Sequence, residues 1–474
     1  MIGIILLIVL LMVLVMLVIM TYYLRTVKIQ YDAVEEENED NAIGKRKAGI
    51  TSSQTFVYTA IILTAVGMVA AVYLYVKGTP WEAHLMEWMN IVVRWMHITF
   101  GIAWIGASFY FVFLENALNR TKDVRDELAG NLWAVHGGGF YYLEKYKVAP
   151  KTIPKHLHWF KYEAYFTWLS GFCLLFVVYY FNASALLIDK NVLDISPMTG
   201  IGIGVGSFIV AWLLYDLLCK TPLVKKGFWF GITGFAIAVG FAYFYSHVFS
   251  SRAAYIHFGA MIGSIMVANV FFVIIPSQKA MVKAAREGKP LNPQLGKNAL
   301  ARSLHNNYFT LPVLFVMISN HFPSTFGYQY PWLVLAIISF GSAGVKHYLN
   351  LREKGQLTVW VMPVSVLILL AAAFISAPPK DPGACKGKVS MSEVLAIINT
   401  RCISCHSAKP TDDVYKTPPN GVVYDTPEDI VKKKDLIMQR VVITKTMPQN
   451  NKTNITQQER DMIRCWIEQG ASTK

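Results

Sequence analysis

Cys402-Ile403-Ser404-Cys405-His406 sets two thiols and an imidazole within five residues. At this spacing the thiols can bond a porphyrin's vinyl groups and the histidine can ligate its iron. The chemistry implied is one covalently attached haem c, with Cys402 and Cys405 as the thioether positions and His406 as the proximal ligand. A redox Cys-x-x-Cys, or a chance pair of cysteines beside a histidine, would show the same five residues. Met447-Pro448 lies in the same short segment, however, and can supply a second axial ligand, with Met438 as the alternative. A His/Met pair raises the reduction potential, and a filled sixth position makes the haem an electron carrier rather than a place where substrate binds.

Two helices must position those ligands. Ser390-Met391-Ser392-Glu393 is a capping-box start, and Thr456-Gln457-Gln458-Glu459 opens a second helix through Arg460, Ile463, Trp466 and Ile467. The segment from about Ala377 to Lys474 resembles a small single-haem cytochrome c, in which the N- and C-terminal helices pack on each other. Its Met-Pro-Gln-Asn resembles the distal methionine loop of that family. Cys385 and Cys465 also lie here, where oxidising conditions permit a disulfide, although sequence alone fixes no Cα separation. Cys173 and Cys219 fall within apolar spans and read as packing residues.

The remainder of the chain is a different kind of object. The 474 residues are 54% hydrophobic and only 16% charged. Ten runs are apolar enough to cross a bilayer: 2–24, 53–76, 89–114, 160–181, 198–219, 227–249, 254–275, 307–322, 331–349 and 358–377. The weakest is 307–322, short and interrupted by Pro312, which reads as a broken helix. The fold class expected is all-α: a polytopic membrane domain of about ten transmembrane helices carrying a small all-α haem domain at its C-terminus.

Orientation follows from charge. With the N-terminus outside, the loops 25–52, 115–159, 220–226, 276–306 and 350–357 lie inside and hold 23 Lys/Arg, whereas the outside loops 77–87, 182–197, 250–253 and 323–330 hold three. That asymmetry is the positive-inside pattern, and an even helix count returns the haem domain to the outer face. The first run has no basic n-region and no small-residue cleavage site, and Arg25 and Lys28 follow it, which reads as a retained signal anchor. The formal charge of +14 is mostly inside-loop bias, because after residue 378 fifteen basic residues face eleven acidic ones. Nucleic acid is not needed to explain it.

Polar residues at membrane depth are costly unless paired or functional. Arg94, His97, Gly101, Trp104 and Ser108 form one stripe of the third span, which must face protein; small-residue helix packing with a snorkelling Arg is the plainer reading. His97, His247, His257 and His321 fall toward the outer ends of their spans, while His136, His156, His158, His305 and His347 fall toward the inner side. His97 with His257 or His321 could ligate a haem b or another metal, or each could be a hydrogen-bonded packing residue. The stretch Trp133-Ala134-Val135-His136-Gly137-Gly138-Gly139-Phe140 joins aromatics to consecutive glycines that allow close backbone approach. The run from His158 to Gly171 brings Lys161 and Glu163 to the inner boundary among aromatic rings. A flat aromatic anion would find rings, a cation and a carboxylate base there; an interfacial aromatic belt would look the same.

These three motifs, Arg94 to Phe111, Trp133 to Phe140 and His158 to Gly171, resemble the membrane-bound, cytochrome c-linked bacterial urate oxidases. The likeness covers about residues 85–375 and the haem domain. It implies three parts: an N-terminal anchor 1–84 outside the usual pattern, a membrane urate oxidase-like domain 85–377, and a periplasmic cytochrome c domain 378–474. It implies oxidation of urate to 5-hydroxyisourate in the bacterial inner membrane, with electrons leaving through haem c to a respiratory terminal oxidase or a soluble cytochrome c. Arg94, His97, His136, Lys161 and Glu163 are the substrate-site residues expected on that basis, with Cys402, Cys405, His406, Met447, His257 and His321 as cofactor ligands. A quinol- or oxidase-linked electron-transfer subunit without catalysis, and a haem-bearing transporter or redox sensor, are the rival readings.

Overall fold

The computed structural model describes residues 67, 71–72, 74–121, 123–150, 152–154, 156–356, 358–377, 385 and 387–473. The apolar run 2–24, nearly all of 53–76, and the loop 25–52 with its acidic stretch Glu35 to Asp40 lie outside the described residues. Among the described residues, six helices are long and apolar enough to cross a membrane: His84–Ala117, Tyr162–Tyr180, Pro197–Lys220, Gly227–Ser246, Ser251–Arg286 and Pro331–Glu353. Each coincides with an expected run. Two further runs take other forms. Residues 307–322 fall largely within one helix, Pro293–Ser319, which continues through Pro312 instead of breaking there. The last run becomes Val361–Ile375, whose 15 residues rise about 22 Å, less than a bilayer's hydrocarbon.

The all-α expectation needs one correction. Residues 128–146, expected as open loop, pair as an antiparallel hairpin of β1 (Leu128–His136) and β2 (Gly139–Tyr146), in register from Gly130 opposite Lys145 to His136 opposite Gly139, with a shift between Gly130 and the Leu128–Tyr146 pair. Val135, Phe140, Tyr141 and Tyr142 favour a pleated strand over a helix. Gly137 and Gly138 form the turn at φ of 58° and 80°. That left-handed backbone is what a two-residue hairpin turn requires. A side chain built on either glycine would meet nothing within 4 Å, so the turn, and not close approach to a neighbour, accounts for them. The hairpin's foot is tied to the end of the preceding helix α1 (Pro80–Ala117): Asn119 and Asn131 exchange backbone hydrogen bonds at 2.8 and 3.2 Å, and Glu115 pairs with Lys145.

The described chain divides into two compact units, one ending at Phe181 but adding Val267–Asn307, the other made of Asn182–Met266 and Tyr308 onward. In the first, α1 packs along α2 (Tyr162–Leu175), with Val93, Phe166, Cys173 and Val177 buried between them. A second cluster joins Ala164 of α2 to Val270 and Ile275, with Trp104 packed against it. His97, Gly101 and Trp104 of the α1 stripe thus face protein, while Arg94 is exposed.

In the second unit, α3 (Pro197–Lys220), α4 (Gly227–Ser246), α5 (Ser251–Ala268), the Val361–Ile375 helix and the longer Pro331–Glu353 helix accompany the C-terminal segment. The capping box expected at Ser390 forms with Glu393, and the helix start expected at Thr456 is also a capping box, with Glu459. Each contributes about 1 kcal/mol to its helix. The two helices they open, Met391–Arg401 and Gln457–Glu468, pack through Val394, Ile398, Ile463 and Trp466. Cys385 and Cys465 form a disulfide with Cα atoms 5.5 Å apart.

Candidate functional site

The Cys-x-x-Cys-His segment leaves the end of the Met391–Arg401 helix as a tight turn: the Cys405 and His406 amides both donate to Cys402 O, at 3.2 and 2.9 Å. The turn aims the motif inward. Cys402 is 8% exposed and belongs to the cluster that holds Tyr424, Ile463 and Trp466, with Met447 packed against it. Met438 is not part of that cluster, which favours Met447 as the residue facing the motif. Arg460 fixes the Met447 backbone by donating to its carbonyl at 2.8 Å and to Val441 O.

His406 Nδ1 lies 3.0 Å from Val422 O. A carbonyl only accepts, so Nδ1 carries the proton and Nε2 keeps its lone pair for a metal. Burial lowers the His406 pKa despite that hydrogen bond, favouring the neutral ring a ligand must be. Burial also pushes the Cys402 thiol up to about 12 and raises Cys405. A redox Cys-x-x-Cys needs the opposite, a stabilised thiolate. The oriented imidazole of His406 and the packed thioether of Met447 are of the types that fit the axial positions of a covalently held haem.

Beside the motif, Asp412 accepts from the amides of Val414 and Tyr415 at 2.8 and 3.0 Å and from Lys452 Nζ at 2.7 Å. Burial alone would raise its carboxyl; these donors overcome it and hold the group well below the usual carboxylate range.

The substrate-site residues expected in the first unit are placed unevenly. His97 Nδ1 lies 3.0 Å from Thr167 O and 3.3 Å from Ser170 Oγ, which fixes the tautomer with Nε2 as the basic nitrogen of the neutral ring. The ring sits over Gly171, where an added Cβ would come within 2.7 Å of Cε1. Glu163 stands one turn before Thr167, whose hydroxyl donates to Glu163 O at 2.6 Å. Its Oε2 is shut off from solvent with no hydrogen-bond partner. An acceptor in that state costs free energy unless something supplies a proton. Lys161 precedes α2 and sets its ammonium 4.7 Å from the Tyr162 ring centroid. Thus α1 and α2 bring His97 and the α2 residues together along one seam.

Arg94 stands one turn before His97 on α1, and His136 ends β1. Arg94 is exposed and donates to Asn90 Oδ1 at 3.1 Å. His136 is exposed at the hairpin tip, where Trp133 and Phe140 are 67% and 79% exposed.

In the second unit, His257 is fully buried against Phe249, with ring centroids 4.5 Å apart, and its Nδ1 lies 2.9 Å from Ala253 O. His321 is exposed and lines a groove of about 440 Å³ with Phe322, Pro323, Asp435, Gln439 and Arg440. Among the described residues, no group of three or more His, Cys, Asp or Glu side chains converges as a metal cage would.

Sequence reading missed one polar cluster. Arg302 counts by position among the inside-loop charges, yet it is 7% exposed and donates to Asn269 Oδ1 at 3.1 Å, while Asn269 Nδ2 donates to Asn306 Oδ1 at 2.8 Å. Asn269 opens the π-helical turn Asn269–Ile274, a distortion frequent at functional sites. The signal lay in Arg302 and Asn306, four residues apart and so on one face of a helix. Guanidinium and amides together offer donors and acceptors suited to a planar anion with alternating carbonyl and N–H groups.

Residues 83–377 match the family described as urate oxidase, N-terminal. No curated protein and no solved structure matches the chain.

Proposed function

Because the chain belongs to the urate oxidase N-terminal family, we infer that it oxidises urate in a membrane domain and passes the electrons on through a haem c domain. Urate takes up water and releases two protons and two electrons to become 5-hydroxyisourate. The family match carries the reading; the unpartnered Glu163 oxygen and the oriented Cys402–His406 motif support its two halves.

Glu163 is the assigned base, since its buried Oε2 lacks a hydrogen-bond donor and a urate N–H would supply one. His97, held by Thr167 and Ser170, presents Nε2 as a second proton acceptor. Lys161 and the Arg302–Asn269–Asn306 cluster supply cationic and amide groups for an oxyanion. Arg94, one turn before His97 on α1, and His136 at the hairpin tip are further candidates for holding the anion. Cys402, Cys405, His406 and Met447 would hold the haem, which supplies one-electron redox chemistry when bound. The site of action in this reading is the bacterial inner membrane, with the haem domain periplasmic and a terminal oxidase or soluble cytochrome c as acceptor.

The test is an optical spectrum of the purified holoprotein before and after anaerobic urate. Urate is expected to reduce the haem without any other donor. A ferric spectrum that persists with quinone depleted sinks the urate assignment and leaves the quinol-linked carrier.

A further inference from the structure

Within the second unit, the loops that hold few Lys/Arg are the ones the C-terminal segment touches. Gln449 Nε2 donates to Ala185 O at 2.8 Å, and Asn450 Nδ2 donates to Ala185 O and Ile188 O, each at 2.8 Å. Asn191 Nδ2 returns a bond to Asn450 O at 3.2 Å. These carbonyls stand around the π-helical turn Ala183–Leu187. A second contact lies at Gly327, where an added Cβ would meet Thr444 O at 2.5 Å, so only glycine lets this loop approach so closely. A third group, Arg252, lies near enough to help lower the pKa of Arg440, whose main depression comes from burial.

Every one of these contacts falls in residues 440–452 of the haem segment, on or beside the loop that carries Met447. None involves the Cys402–His406 turn. Within the loop, Tyr415 Oη donates to Gln449 Oε1 at 2.5 Å, and Lys452 pairs with Asp412 and Asp413, so Gln449 and Asn450 project from a braced frame.

We propose that Gln449 and Asn450 are positioning residues that latch the Met447 loop to the Ala183–Asn191 turn, making that loop the side of the haem segment that receives electrons. The inference rests on the function proposed above. The donor is urate; a haem held by Cys402, Cys405, His406 and Met447 would take up its two electrons one at a time, passing the first to the outgoing acceptor before the second arrives. Three side-chain bonds to backbone carbonyls hold the latch, and losing them shifts the docked population by about tenfold or more.

The holoprotein Gln449→Ala/Asn450→Ala tests this by stopped flow. Anaerobic urate should reduce its haem about tenfold more slowly than in the unaltered protein. The potential, the methionine-ligand absorption band and the rate with dithionite should be unchanged, which separates a lost latch from a damaged haem pocket. A urate-driven rate equal to that of the unaltered protein overturns the proposal. A separate arm needs no urate: Asn191→Cys/Asn450→Cys should yield a disulfide-linked peptide pair by mass spectrometry. Absence of that pair, with both thiols alkylated and haem still attached, overturns the latch by itself. If urate fails to reduce even the unaltered protein, the urate reading falls while the cross-link still decides the latch.

Discussion

The C-terminal segment with its Cys-x-x-Cys-His motif and the helical part before it place their candidate chemistry in opposite ways. In the haem segment, five consecutive residues carry three of the four expected ligands, and a local turn with two capped helices suffices to aim them. In the membrane part, the groups with the most demanding environments come from separate helices: His97 from α1, Glu163 from α2, Asn269 from a π turn and Arg302 from the Pro293–Ser319 helix. A covalent cofactor needs reactive groups at fixed spacing, and spacing is a property of the chain. A small planar substrate needs groups that converge in space.

The sharpest break in that comparison comes from the thioether positions. Cys402→Ser/Cys405→Ser is expected to abolish haem staining on a denaturing gel, while urate binding by the membrane part persists in calorimetry. Next, Met447→Ala should eliminate the methionine-ligand band and lower the potential, whereas Met438→Ala should alter neither; the reverse result would assign the distal position to Met438 and undo the packing argument.

For the membrane part, Arg302→Ala strips a buried charge-assisted donor from Asn269 and should cost on the order of 2 kcal/mol in thermal unfolding in detergent. Arg94→Ala, at an exposed position, should stay within about 0.5 kcal/mol. Equal losses at the two would erase the distinction between them. Gly171→Ala drives a methyl into the His97 ring and should cost about 1–3 kcal/mol, with slower urate-driven haem reduction.

An acid dependence is expected as well. Asp412 has its folded pKa held below its unfolded value, so its contribution is fully present above about pH 4 and is lost as pH falls through the folded value. Asp412→Asn should flatten the stability profile of the haem segment below about pH 4 in a circular dichroism titration. A steep acid transition that survives the substitution would assign the sensitivity elsewhere.

Helix-length apolar runs, the capping boxes at Ser390 and Thr456, and the Cys402–His406 motif were determined by sequence alone, because each depends on residues near one another in the chain. The α1 stripe was legible for the same reason, since helical periodicity puts Arg94, His97, Gly101, Trp104 and Ser108 on one face without reference to a partner. That the partner is α2, with His97 seated over Gly171, could not be read from periodicity. The hairpin escaped because its aromatics and glycines fit a loop as well as two strands until pairing fixes the register. Pro312 suggested a break, yet the helix continues through it, because packing outweighs one lost backbone hydrogen bond. Arg302 counts as a loop charge by position and as a buried partner of Asn269 by contact. Only tertiary structure decided that, since burial and hydrogen-bond partnership belong to pairs of segments and not to either one.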